Sequence, residues 1–252
     1  MKKWINRKVW LVALMACPVI VCSSQDLQLR HILEKSLEMY QHNDSALSFH
    51  VKFYYADYNE PSLIQDSITG VFAMSGKKVF FDIGKTKAVK NDSLAITVFE
   101  EDKLIYISSI QDKLKEYQPG SVLETLLSAN YAAEKKIAIN SNIAEIQLKF
   151  KDTSICKSVA IEIDTNTSYI VKIETVVRKD AADDEANQYM LSHSEDDYSI
   201  ITALYQEYAL APKTSSPEFE ASQYIQKNAE GHYMPSSRYA DFTIFLANPK
   251  MQ

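Results

Sequence analysis

Cysteine, glycine and proline are scarce in this chain: three, five and seven of 252 residues. Cys17 and Cys22 lie in the first two dozen residues, so only Cys156 is left for the body of the chain. That excludes an internal disulfide framework and any C-x-x-C redox or zinc element. Cys156 falls in a strand-like stretch and reads as a buried small hydrophobe. The glycines are isolated, so none builds a phosphate-cradling loop before a helix. The five histidines (His31, His42, His50, His193 and His232) never recur at H-x-H or H-x-x-x-H spacing, the usual mark of a metal site on one strand or helix. No G-x-S-x-G occurs, and no S-x-x-K followed by K-T-G, so the common serine nucleophiles are missing. The acidic clusters Asp183-Asp184-Glu185 and Glu195-Asp196-Asp197 lack the alternating oxygens and central glycine of a calcium loop. Paired carboxylates are the one hydrolytic arrangement that composition leaves open. No catalytic residue, cofactor site or metal ligand is therefore expected, and the chain reads as non-enzymatic.

Positive charge is also in short supply. The chain has 27 Lys plus Arg against 33 Asp plus Glu, and four of the basic residues (Lys2, Lys3, Arg7 and Lys8) sit at its start. Beyond them 23 basic residues face 33 acidic ones, a balance that argues against nucleic acid and anionic membrane surfaces as partners. Those first four cations precede an apolar run from Val9 to Val21 and the small residues Cys22-Ser23-Ser24. The order is that of a cleaved secretory signal, residues 1–24, since the run is too short to span a bilayer. A second processing route is open: Leu14-Met15-Ala16-Cys17 has the form of a lipobox, which would leave the protein anchored through an acylated Cys17. Either route delivers the chain to the periplasm or beyond, as a soluble monomer or a membrane-anchored lipoprotein.

What is abundant is apolar and aromatic: 46% hydrophobic residues, with 15 Tyr and 10 Phe. Residues 26–42 carry Leu29, Ile32, Leu33, Leu37 and Tyr40 at helical spacing. From Leu47 the period changes to two, with Phe49, Val51, Phe53 and Tyr55 on one side of a strand and Ser48, His50 and Lys52 on the other. Strands are expected over 67–74 and 78–82 around the turn Ser75-Gly76-Lys77, and over 94–99 and 104–108 around Glu100-Glu101-Asp102. Pro119-Gly120 then breaks the chain, and Ser121 with Glu124 resembles a capping box for a short helix to about Tyr131. Further strands are expected over 143–150, 155–163, 169–177, 189–193 and 198–208. Residues 213–252, after the linker at Pro212 to Pro217, read as a β-hairpin extension turning at Asn228-Ala229-Glu230-Gly231 and packed on the same domain. Many strands in meander order must curl to protect their edges. The expected fold is α+β: a strongly curved antiparallel β-sheet (an incomplete barrel) covered by the N-terminal helix and one inserted short helix.

Four stretches resemble the LolA/LolB-type periplasmic carriers of outer-membrane lipoproteins. They are the helix Leu27 to Tyr40 running into an aromatic strand; the pair Gly70-Val71-Phe72-Ala73-Met74 and Lys78-Val79-Phe80-Phe81-Asp82; the short helix after Pro119; and Ile161-Glu162-Ile163-Asp164-Thr165-Asn166-Thr167 leading to Tyr169-Ile170-Val171-Lys172-Ile173. The resemblance covers about residues 26–178 within a half-barrel domain of 25–212. It implies a hydrophobic cavity that takes a lipid or the acyl chain of a protein cargo. The residues expected to line that cavity are Phe49, Val51, Phe53, Phe72, Met74, Phe80, Ile161, Ile163, Val171 and Ile173, under a lid of Leu33, Leu37, Leu123 and Leu127. The alternative is an interaction module with a filled core, which docks to an envelope protein partner through its tail and tolerates deletion of Ser215 to Gln252; an unrecognised hydrolase is the third reading.

Overall fold

The alternating segments become fourteen strands in a computed structural model of the chain, which describes residues 17–41, 45–109, 123–124, 133–151, 155–179, 198–212 and 217–247. Among the described residues a helix, α1 (Cys17–Tyr40), precedes β1 (Ser45–Asp57), β2 (Ile64–Ser75), β3 (Lys78–Ile83), β4 (Thr86–Lys90), β5 (Leu94–Phe99) and β6 (Leu104–Ser109). There follow β7 (Glu134–Asn140), β8 (Ile143–Lys149), β9 (Cys156–Asp164), β10 (Ile170–Arg178) and β11 (Tyr198–Pro212). The C-terminal segment adds β12 (Ile225–Lys227), β13 (Tyr233–Pro235) and β14 (Thr243–Leu246).

Twelve strands form one sheet in the order β14-β6-β5-β4-β3-β2-β1-β11-β10-β9-β8-β7. Two antiparallel meanders are thus joined through the long β1·β11 pair, with β14 and β7 at opposite edges, so the sheet curves without closing. β12 and β13 make a separate two-stranded ribbon. Its turn is the expected one, with Asn228 Oδ1 accepting the Glu230 and His232 N–H groups and Gly231 at φ 87°. The Ser75-Gly76-Lys77 turn and the Asp164 to Thr167 turn also stand where the sequence put them; in the latter Asp164 Oδ1 accepts the Asn166 N–H at 2.8 Å.

Several elements differ from expectation. The helix is longer, beginning at Cys17, where Pro18 in the first turn forfeits no hydrogen bond. β4 was not anticipated because Ala88 and Val89 are both buried, one on each face, which erases the alternation. β7 was not anticipated either: Glu134, Lys135 and Lys136 look like loop, yet such charges are what keeps an exposed edge strand from pairing. Of the inserted helix, Leu123 and Glu124 are helical; its other residues, including Leu127, lie outside the described residues, as does the strand expected over 189–193.

The two faces of the sheet bury two separate cores. On the concave face, Leu29, Leu33 and Tyr40 of α1 and Leu123 pack on Leu47, Phe49, Val51, Phe72, Met74, Ile146, Ile161, Ile163, Ile170 and Ile173. On the convex face of β2–β6, residues 217–247 fold back over Ala73, Val89, Ile96, Val98, Ile105 and Ile107, contributing Phe219, Tyr224, Ile225 and Tyr239. The tail ends by adding β14 parallel to β6, with Thr243 opposite Leu104 and Leu246 opposite Ile107. Elsewhere the convex face is solvated and charged, as where Lys172 bridges Glu162 and Glu174 at 3.3 and 3.2 Å.

The tail is therefore packed as part of the convex core, which speaks against its being removable. Ile96, Val98, Ile105 and Ile107 have no exposed surface with the tail in place, and each such side chain contributes about 1.5–3 kcal/mol by burial. Deleting residues 215–252 should abolish cooperative unfolding in urea and produce strong binding of a hydrophobic dye. A truncated protein with a sharp, native-like transition would contradict this packing.

Candidate functional site

Register along the sheet decides which side chains share the concave face. Ile137, Ile146, Ile161, Ile173, Ala203, Phe53 and Ile68 stand opposite one another on seven successive strands, β7-β8-β9-β10-β11-β1-β2. This row crosses the floor of the half-barrel, and its burial changes along the way. Ile161 is fully buried, Phe53 is half-buried, and Ile68 is 42% exposed. Ile201, beside Tyr55 in the next row of the same face, is 38% exposed. An apolar strip over β11, β1 and β2 is thus open while its continuation is packed.

The position of α1 explains the difference. Tyr40 meets Phe49 of β1, Tyr208 of β11 and Tyr169 at the entry to β10. One to three turns earlier, Gln28, His31, Ile32 and Lys35 border Ile139 of β7 and Ile163 of β9. The helix therefore lies across the strand ends near Ser45 and the β9–β10 turn, whereas Phe53, Ile68 and Ile201 lie toward the Asp57 end.

A hydrogen-bonded ring fixes that placement. A β-bulge at Ile170–Lys172 breaks the ladder, and pairing with β11 starts only at Lys172. The Ile170 N–H donates to Tyr40 Oη (3.1 Å), and Tyr208 O–H donates to the Ile170 carbonyl (2.7 Å). With that proton committed, Tyr40 O–H donates to Tyr208 Oη at 2.7 Å. Tyr208 is aimed inward by a second irregularity, at Glu207, whose φ is 56°. It also stacks on Tyr169 with ring centroids 4.1 Å apart. Burial pushes the phenols of Tyr40, Tyr205 and Tyr208 well above their ordinary range.

Two glycines shape the open end. A Cβ on Gly70 would stand 2.6 Å from Ile83 Cγ1, and one on Gly84, whose φ is +60°, 2.6 Å from Ile68 Cδ1. Both isoleucines can lie down against the sheet because these side chains are missing. Polar groups bound the strip beyond Tyr55, whose hydroxyl bonds Ser199 Oγ at 2.7 Å, and Asp57 is paired with Lys179, which holds its carboxyl below the usual range.

Of the residues expected to line a cavity, Phe49, Val51, Phe72, Met74, Ile161, Ile163 and Ile173 come together on the concave face and are packed there; Phe53 joins them, half-buried. Phe80 does not: it stands opposite Ala73 and Val89 and packs into the convex core, while its neighbour Phe81 meets Phe72. Val171 sits in the β10 bulge outside both cores. Leu33, Leu37 and Leu123 pack on the concave core as expected of a cover. The exposed Ile68 and Ile201 are not among the residues expected from the sequence, although Ile201, Ala203 and Tyr205 alternate visibly; assigning their face needs the β1·β11 pairing across some 150 residues.

Away from the strip, cavities stand among the described residues. One of about 440 Å³ lies on the convex face, bordered by His50, Lys52, Thr69, Asp82 and Glu207, with His50 and Glu207 paired at 2.7 Å. Another, about 330 Å³, flanks α1 at the β9–β10 turn. Among the described residues no three His, Cys, Asp or Glu side chains come together to hold a metal ion. Cys156 is half-buried, and burial raises its thiol pKa, away from the reactive thiolate.

No family model matches the chain, and no curated protein matches it in sequence. Solved structures similar to it include an uncharacterized conserved protein from Thermus thermophilus (5% identity, TM-score 0.45, covering 88% of this chain and 99% of that one). The MucA/MucB complex of Pseudomonas aeruginosa is similar at 11% identity and TM-score 0.41, over 82% of this chain and 63% of the other. A LolA superfamily protein from Nitrosomonas europaea is similar at 11% identity and TM-score 0.31, over 71% and 91%. At such values the likeness is one of general shape and says nothing of ligand or activity.

The tyrosine ring yields a test with a definite sign. A phenol that ionises near pH 10 in the unfolded chain but stays protonated in the fold leaves the folded state holding the extra proton. Stability is then intact below about pH 10 and falls above it, by about 1.4 kcal/mol per pH unit for each such tyrosine. Tyr208→Phe strands the Ile170 carbonyl and the Tyr40 hydroxyl, so it should cost about 1–3 kcal/mol at neutral pH and make the alkaline loss shallower. Urea midpoints of both proteins from about pH 7 to about pH 11.5, a range that brackets the ordinary phenol pKa, check this; equal stability and equal slopes would dismiss the ring.

Proposed function

We propose that this chain is a non-enzymatic envelope protein that carries a hydrophobic ligand, an acyl chain of a lipid or of an acylated protein, on the open end of its concave face. The observation that supports this reading is that Ile68 and Ile201 are exposed beside the half-buried Phe53, on the same face on which their neighbours are fully packed. Ordinary cores do not stop half-way along a row in register, and contiguous exposed apolar surface marks sites of binding. The secretory leader and the resemblance of residues 26–178 to lipoprotein carriers point to the same compartment and cargo.

The energetics suit a carrier. The strip spans β11, β1 and β2, a width of roughly 10 Å at about 4.8 Å per strand. Burying about eight methylenes there contributes on the order of 6 kcal/mol at about 0.8 kcal/mol each, before the cost of ordering the chain. Holding of that strength is reversible, as delivery requires.

Ile68 is the residue to change. Phe53 is packed into the core, so a charge there would damage folding as well as binding; Ile68 is exposed enough to carry one. Titration with a fluorescent long-chain fatty acid should show at least a tenfold weaker Kd for Ile68→Glu and for Ile201→Glu, at unchanged thermal midpoint. Wild-type affinity in both variants would sink the assignment.

A further inference from the structure

The 330 Å³ cavity on the flank of α1 is chemically unlike the open strip, and it lies on the other side of the helix, at the β9–β10 turn. Its apolar lining is Ile32, Ile139 and Ile163. Its rim carries His31 and Lys35, one helical turn apart, with Gln28 beside them. Thr165 and Ser168 close the opposite wall. Among the described residues no carboxylate lines it, although the chain as a whole has a net charge of −6. Arg30 and Glu34, on another side of the helix, neutralise each other at 2.7 Å. Neither His31 nor Lys35 has an ion-pair partner among the described residues.

An apolar pocket with an uncompensated cationic rim fits one ligand chemistry. We propose that this cavity is a second binding site, which takes a single-chain anionic amphiphile: its first methylenes lie on Ile139 and Ile163, and its carboxylate or phosphate meets Lys35, with His31 and Gln28 as further donors. A neutral alcohol of the same length lacks the charge-assisted bond, and a free inorganic anion lacks the apolar contact. The volume is at the lower end of small-molecule sites, about 300–1,000 Å³, so the site holds a head and a short length of chain while the rest emerges beside Ile139, itself 42% exposed. The proposal stands apart from the carrier reading, because the two sites share no residue.

Calorimetric titration with octanoate, octyl phosphate, octanol, octyltrimethylammonium and inorganic phosphate tests it, using the protein bearing Ile68→Glu so that the concave strip is disabled. One octanoate or octyl phosphate should bind per chain, with octanol and octyltrimethylammonium at least tenfold weaker. Adding Lys35→Gln should weaken both anionic ligands about tenfold and leave octanol unchanged. Ile139→Glu, an exposed position that does not threaten the fold, should abolish binding of all of them. Equal affinity for octanol and octanoate, or no effect of Lys35→Gln, overturns the proposal. So does inorganic phosphate binding as tightly as octyl phosphate, which makes the cavity a site for free anions. Loss of all binding in the Ile68→Glu protein alone also overturns it and leaves the carrier reading standing. Binding that ignores Ile68→Glu but follows Lys35→Gln upholds the second site and removes the first.

Discussion

Ile170 sits at the irregularity from which the rest of this architecture follows. Beside a bulge in the β9·β10 ladder, pairing with β11 begins only at Lys172, which leaves the Ile170 N–H and C=O without a partner on that side, and a buried backbone group without a partner costs about 1–3 kcal/mol. Tyr40 supplies the acceptor and Tyr208 the donor, each bonded to the other, so three elements distant in sequence share one closed set of hydrogen bonds. Because Tyr40 is the last residue of α1, satisfying Ile170 pins the C-terminal end of the helix over the junction of the two meanders. The remaining freedom of a rigid rod pinned at one end is its direction. Leu29, Leu33 and the buried Ser36 lie on the same helical stripe as Tyr40, and they can be covered only if the rod crosses the strand ends toward β7. The open strip at the Asp57 end is the complement of that choice: a helix of this length on that line cannot reach it.

The second cover acts on the opposite face and at the opposite half of the sheet. A curved sheet of this width has more apolar surface than one helix can bury, and residues 217–247 bury the convex side of β2–β6 instead. Their last strand extends the sheet beyond β6, where a meander would have left an edge of bare N–H and C=O groups. The other edge, β7, is guarded by charge rather than by chain. With β14 and β7 as its two edges, the sheet stays a half-barrel.

The sequence told some of this plainly and hid the rest for identifiable reasons. The helical stripe of α1 and the inward set Leu47, Phe49, Val51 and Phe53 are read directly from period, because each needs only local spacing. Phe80 and Phe81 show the limit. Consecutive phenylalanines point to opposite faces, and choosing between them required knowing that the convex side is dry there; that dryness comes from a tail far downstream, at residues 217–247. Register settles it, with Phe81 opposite Phe72 and Phe80 opposite Ala73. The tyrosine ring was illegible for a deeper reason. It depends on two bulges, at Ile170–Lys172 and around Glu207, and neither carries a glycine or proline that would mark it.

The open strip is best understood against the packing around it. Gly70 and Gly84 keep its floor flat: a Cβ at either would collide with Ile83 or Ile68 and lift it from the sheet. The cost is exposed apolar surface, on a chain with an excess of acidic over basic residues. A packed row on the same face, in the same register, shows that the chain can bury such residues fully where α1 reaches, as at Ile161. Exposure at the other end of that row is thus set by the length and line of the helix. A ligand laid there would complete the row, taking the place of the side chains that α1 supplies at the closed end.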